Sequence, residues 1–156
     1  MTDTQSVAGD QQTGPQLTLQ TVYLKDCSYE SPNGPRIDGA WNPQFSMDLN
    51  TTANALSPDA REVVLTVTVS AKQGENTAFL VEVKQAGLFM MRGLSEEEQR
   101  RAIGSICPNV LFPYARAMVS QLVTQGGFPQ FVLPPVNFDS LYAQSVAAAQ
   151  SQVVKN

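Results

Sequence analysis

The chain has 156 residues, of which 42% are hydrophobic, and its fourteen Asp and Glu against ten Lys and Arg leave a formal charge of −4. That length supports one domain with a real core and needs no metal or disulfide staple, while the negative balance repels nucleic acid. Histidine is absent altogether. Ser-His and Cys-His nucleophilic pairs and the common histidine-bearing metal sites are thereby removed. Enzymes can work without histidine through lysine, tyrosine or carboxylate pairs, so the absence lowers that expectation without closing it; no catalytic residue, metal or cofactor is assigned. No Gly-x4-Gly-Lys phosphate loop occurs, and no window has the 18 apolar residues of a membrane span. The opening Met1-Thr2-Asp3-Thr4-Gln5 has neither basic head nor apolar core. This predicts a cytoplasmic address with Cys27 and Cys107 as free thiols.

Residues 1 to 14 are polar and predict a mobile tail. Strand 1 is expected from Pro15 to about Tyr29, with Leu17, Leu19 and Tyr23 on one parity and Val22 and Leu24 on the other. At its end Asp26, Ser28 and Glu30 share a face opposite Cys27 and Tyr29, an acidic stripe. Ser31-Pro32-Asn33-Gly34-Pro35 leaves the strand direction. The connection runs on past Trp41, longer than a hairpin needs, and predicts a crossover to a strand that is not the neighbour. Phe45, Met47 and Leu49 then alternate with polar residues, as a half-buried strand requires. Residues 62 to 71, β-branched almost throughout, belong in a sheet interior. Gln73-Gly74-Glu75-Asn76 turns them into strand 4, which puts Phe79, Val81 and Val83 on one face and Leu80, Glu82 and Lys84 on the other.

Ser95-Glu96-Glu97-Glu98 is a capping box opening a helix. Pro108 and Pro113 interrupt that helix and predict a break or kink, and Gly126-Gly127 ends it. The loop Phe128-Pro129-Gln130-Phe131-Val132-Leu133-Pro134-Pro135 carries more large apolar side chains than a surface loop should, so some are buried or offered to a partner. Asn137 caps a last helix bearing Phe138, Leu141, Tyr142 and Val146, whose final residues 151 to 156 are expected to fray. One domain over residues 15 to 150 follows. Strands first and helices after is the α+β pattern.

Several strings resemble the SecB family of bacterial protein-export chaperones. They are Tyr23-Leu24-Lys25-Asp26-Cys27-Ser28-Tyr29-Glu30, Thr77-Ala78-Phe79-Leu80-Val81-Glu82-Val83, Cys107-Pro108-Asn109-Val110-Leu111-Phe112-Pro113-Tyr114-Ala115-Arg116, and Gly127-Phe128-Pro129 through Pro135-Val136-Asn137-Phe138-Asp139. The resemblance implies a four-stranded antiparallel Greek-key sheet with two helices on one face, assembled as a homotetramer, a dimer of dimers. It implies an ATP-independent holdase that keeps unfolded precursor proteins translocation-competent and delivers them to the SecA motor. Position by position, the family's SecA contact falls on Asp26, Glu30, Leu80 and Glu82. The client groove falls on Trp41, Phe45, Met47, Leu49, Phe128, Leu133, Phe138, Leu141 and Tyr142. The chain departs from the family at Cys27, where a branched apolar residue is common, and in its short C-terminal tail. Two other readings stay open. A chaperone of the same fold serving a toxin–antitoxin pair would lack SecA affinity, and a small-ligand binder would present a closed pocket.

Overall fold

A computed structural model describes residues 14–154, without the side chains of residues 153 and 154. Most of the tail expected over residues 1 to 14, and the last two residues, lie outside the described residues. Four strands, β1 (Gln16–Glu30), β2 (Gln44–Ala55), β3 (Ala60–Gln73) and β4 (Asn76–Arg92), precede α1 (Glu96–Arg101), a π-helical turn (Ala102–Ile106), α2 (Cys107–Gln125) and α3 (Phe138–Val154). The strands form one antiparallel sheet in the order β1-β4-β3-β2. The connection after Glu30 therefore crosses from one edge of the sheet to the other, as its length predicts. β3 and β4 meet at Gly74, whose φ of 64° at the first central position is what a type II′ hairpin turn requires.

One face of the sheet carries the core. Val63, Leu65, Val67 and Val69 of β3 and Phe79, Val81, Val83 and Phe89 of β4 are buried there. They meet Leu111, Ala115, Val119 and Val123 of α2, four residues apart and so on one helix face. Each large side chain among them contributes roughly 1.5–3 kcal/mol by leaving water, and β3 and β4 suit the centre of the sheet because their inner faces are apolar apart from the buried Gln85.

Two β-bulges alter the alternation of β1. Register shifts fall between Leu19 and Thr21 and between Leu24 and Asp26, leaving Gln20 and Lys25 as the extra residues. Each extra residue reverses the parity that follows. Leu17, Leu19, Val22 and Leu24 therefore all lie on the inner face with Cys27 and Tyr29, and Tyr23 lies on the outer face. The parity grouping expected for Leu17 through Leu24 is corrected here; that for Asp26, Ser28 and Glu30 holds.

The helix opens as its capping box predicts. Ser95 Oγ accepts from the Glu98 amide at 3.1 Å, and Glu98 Oε2 accepts from the Ser95 amide at 3.3 Å. The proline break takes a particular form. Ahead of Pro108 the helix widens into the π turn, in which the Cys107 amide donates to Ala102 O, five residues back. A proline ring crowds the preceding turn, and the wider turn gives it room. At Pro113 there is no break: α2 runs through it. Pro113 and Asn109, whose carbonyl loses its donor, are both exposed, so water can serve that carbonyl. α2 covers β4 and β3, the π turn lies against β2 and carries α1, and α3 packs mainly on the π turn and not flat on the sheet.

Candidate binding surfaces

Among the described residues no helix lies on the sheet's outer face, and three of its rows gather the predicted acidic surface. Asp26 pairs with Lys84, Ser28 with Glu82, and Glu30 with Leu80. Thr68, opposite Glu82 on β3, donates its hydroxyl to Glu82 Oε2 at 3.3 Å. Leu80 is 39% exposed beside Glu30, a large apolar side chain in an acidic setting. Asp26, Glu30, Leu80 and Glu82, drawn from two strands about fifty residues apart, are thus one patch.

The same face holds a polar cluster that sequence reading missed. Glu62 of β3 accepts from Lys25 Nζ at 2.6 Å and from the Tyr23 hydroxyl, both on β1. Hydrogen bonds from Lys25 and Tyr23 hold the Glu62 carboxyl below its ordinary range. Burial first, then the bond to Glu62 and its charge, pushes the Tyr23 hydroxyl up to about 12. No signal in the sequence pairs Lys25 with Glu62, because the contact needs the bulge.

The apolar surface lies where β2, the crossover segment and the loop before α3 converge. Gln73 positions Trp41: its side-chain amide donates to the carbonyls of Asp38 (3.3 Å) and Ala40 (3.2 Å) and accepts from the Asn42 amide (3.3 Å). Trp41 packs on Phe128, ring centroids 5.4 Å apart, and Phe128 on Phe79 at 5.2 Å. Phe45, 44% exposed, stacks on Phe131 at 4.4 Å. Phe131 is held in turn by its carbonyl, which accepts from Ser120 Oγ of α2 at 2.6 Å. Further along β2, Met47 and Leu49 face Pro135, Val136, Ser140 and Leu141 across an open cleft of about 530 Å³. The start of α3 is fixed by Asn137, whose Oδ1 accepts from the Ser140 amide at 3.0 Å.

The nine predicted groove residues separate into three groups. Trp41, Phe45, Met47, Leu49 and Leu141 line accessible surface. Phe128, Leu133 and Phe138 are 5%, 2% and 5% exposed and stand behind it as core. Tyr142 turns the other way: its ring covers Gly104 of the π turn and it lines a separate cleft with Glu97, Arg100, Val146 and Ala149. Phe131, half-buried, and Val132, 57% exposed, belong to the surface as well. Their signal was the apolar excess of the loop.

The two cysteines differ. Cys27 is exposed; Cys107 is buried, and burial pushes its thiol up to about 12, the reverse of an activated nucleophile.

Among the described residues the sheet thus has an acidic face free of helices and, at its edge, an open aromatic groove, surfaces of the kind that suit a protein binding other chains. The model of the family described as "Preprotein translocase subunit SecB" matches residues 10–149. A protein-export protein SecB of Pseudomonas fluorescens is 47% identical over 153 residues, 97% of this chain and 96% of that one. The SecB of Hahella chejuensis is 49% identical over 139 residues, 88% and 87% of the two chains. The chain belongs to the SecB family; it is a protein-export chaperone and not an enzyme. Among solved structures, a SecB-like chaperone of Mycobacterium tuberculosis in complex with an antitoxin peptide superposes with a TM-score of 0.66 at 17% identity, covering 78% of this chain and 91% of that one. This likeness is one of fold.

Proposed function

We propose that this chaperone works from the two surfaces separately: it holds unfolded precursors along the apolar groove and docks on SecA through the outer face. The observation that carries the reading is the meeting of Asp26, Glu30, Leu80 and Glu82 on the face that no helix of the described residues covers. A basic partner segment with one apolar side chain complements such a patch. On the other side, each large client side chain buried in the groove contributes about 1.5–3 kcal/mol. Ordering client backbone costs about 1–2 kcal/mol per residue, so one groove holds one short segment weakly. Assembly into a cytoplasmic homotetramer, a dimer of dimers, joins several grooves so that each later contact is intramolecular. Capture of the unfolded state then opposes folding by mass action, with no nucleotide.

The test uses two double variants. Asp26→Ala with Glu82→Ala is expected to weaken SecA binding by about tenfold or more while client capture stays. Phe45→Ser with Met47→Ser is expected to do the reverse and to leave the assembly intact. Binding measured against SecA and against a slowly refolding client decides; equal loss of both functions in either variant defeats the assignment.

A further inference from the structure

We propose that Glu62 is a positioning residue for the acidic patch: it draws Lys25 away and keeps Asp26, Glu30 and Glu82 uncompensated for a basic partner. This rests on the reading of that patch as the SecA-docking surface. The β1 bulge carries the argument. In an unbroken strand the residue before Asp26 would point to the opposite face. With the shift between Leu24 and Asp26, Lys25 reaches the outer face directly beside Asp26, where its ammonium could neutralise the stripe. Instead Lys25 Nζ lies 2.6 Å from Glu62 Oε1.

Glu62 stands in the row of Leu88 and Thr21, toward the start of β1, whereas the stripe runs the other way through Ser28 to Glu30. Lys25 is therefore pulled away from the patch. Glu62 is a strong anchor because Tyr23 on β1 also donates to it, and Asn54 of β2 stands in register on its other side. The lysine that remains in the patch is Lys84, in register with Asp26; Glu82 faces Ser28 and Thr68, and Glu30 faces Leu80. Among the described residues, neither Asp26, Glu30 nor Glu82 is held in an ion pair.

The test is SecA binding by titration calorimetry at low and high ionic strength, with client capture as the control for folding. Glu62→Gln releases Lys25 and is expected to bind SecA about fivefold more weakly at low ionic strength, the difference closing as salt screens the patch. Lys25→Met with Glu62→Gln has the wild-type net charge and is expected to bind as wild type. Lys25→Met alone, which leaves every acid and the sheet in place, is expected to bind at least as tightly as wild type. Wild-type binding by Glu62→Gln, a double variant as weak as Glu62→Gln, or a severalfold loss in Lys25→Met each overturns the positioning role. If Asp26→Ala with Glu82→Ala also leaves SecA binding unchanged, the reading of the patch itself fails; if that variant weakens binding and Glu62→Gln does not, only the role of Glu62 falls.

Discussion

At the scale of single residues, exposure separates groove from core where the sequence could not. Phe128 and Phe131 stand three apart in one apolar loop, and nothing in their type distinguishes them. Phe128 sits between Trp41 and Phe79 at full burial, while Phe131 leans on exposed Phe45. Phe131→Ser is therefore expected to reduce client capture with a small change in stability, and Phe128→Ser to destabilise by about 3–5 kcal/mol. Thermal melting beside an aggregation-suppression assay tells the two apart. The cysteines allow a second prediction. A thiol reagent should label Cys27 in the native protein and reach Cys107 only on unfolding, in agreement with their exposures. Folding keeps the Cys107 proton above the ordinary thiol value of 9.0, up to about 12. An unfolded chain releases that proton first, so stability from this group is whole below about pH 9 and falls across pH 9 to 12, by at most about 1.4 kcal/mol per pH unit. Denaturant melts of wild type and Cys107→Ala across that range measure the difference in slope.

At the scale of elements, local chemistry was legible and pairing was not. The capping box at Ser95, the cap at Asn137 and the hairpin at Gly74 each depend on residues within a few positions, and each is readable from those residues. The bulges at Gln20 and Lys25 depend on how β1 lies against β4, so parity counted along β1 alone goes wrong between them. The long acidic face escaped this error because Asp26, Ser28 and Glu30 all follow the second bulge. The prolines were legible as an interruption, but its form, a π turn before Pro108 and an unbroken helix at Pro113, depends on which carbonyls face water. The π turn also seats α3. A Cβ on Gly104 would stand 2.5 Å from Tyr142 Cδ2, and the buried Ser105 hydroxyl donates to Asp139. Gly104→Ala should therefore push α3 away, lowering its amide hydrogen-exchange protection while that of β3 and β4 is kept.

At the scale of the whole molecule, the proposed assignment has one sheet serve two partners on opposite sides. The crossover from β1 to β2 makes this possible: it puts the acidic strand and the groove strand on opposite edges, with β4 and β3 between them. That β1 and β2 are not neighbours was readable from the length of the connection; the full strand order was not. The tilt of α3 off the sheet was not, because Phe138 and Leu141 mark an apolar helix face without saying what covers it. If affinity for clients comes from joined grooves, a peptide long enough for one groove should bind orders of magnitude more weakly than an unfolded chain spanning several. Competition between the two for the same labelled client measures this directly, and equal affinities would mean that a single groove suffices.

The widened turn ahead of Pro108 has a consequence for chain length. A π turn accommodates one residue more than the α-helical segments around it need, so the faces of α1 and α2 are phased as though that residue were looped out. Removing one residue within 102–106 together with Pro108→Ala would close the turn and leave every later side chain of α2 on its present face. The same deletion in the middle of α2 would swing Val119 and Val123 about 100° off the core. The helix thus has a single place where its length can change without turning its inner face to water.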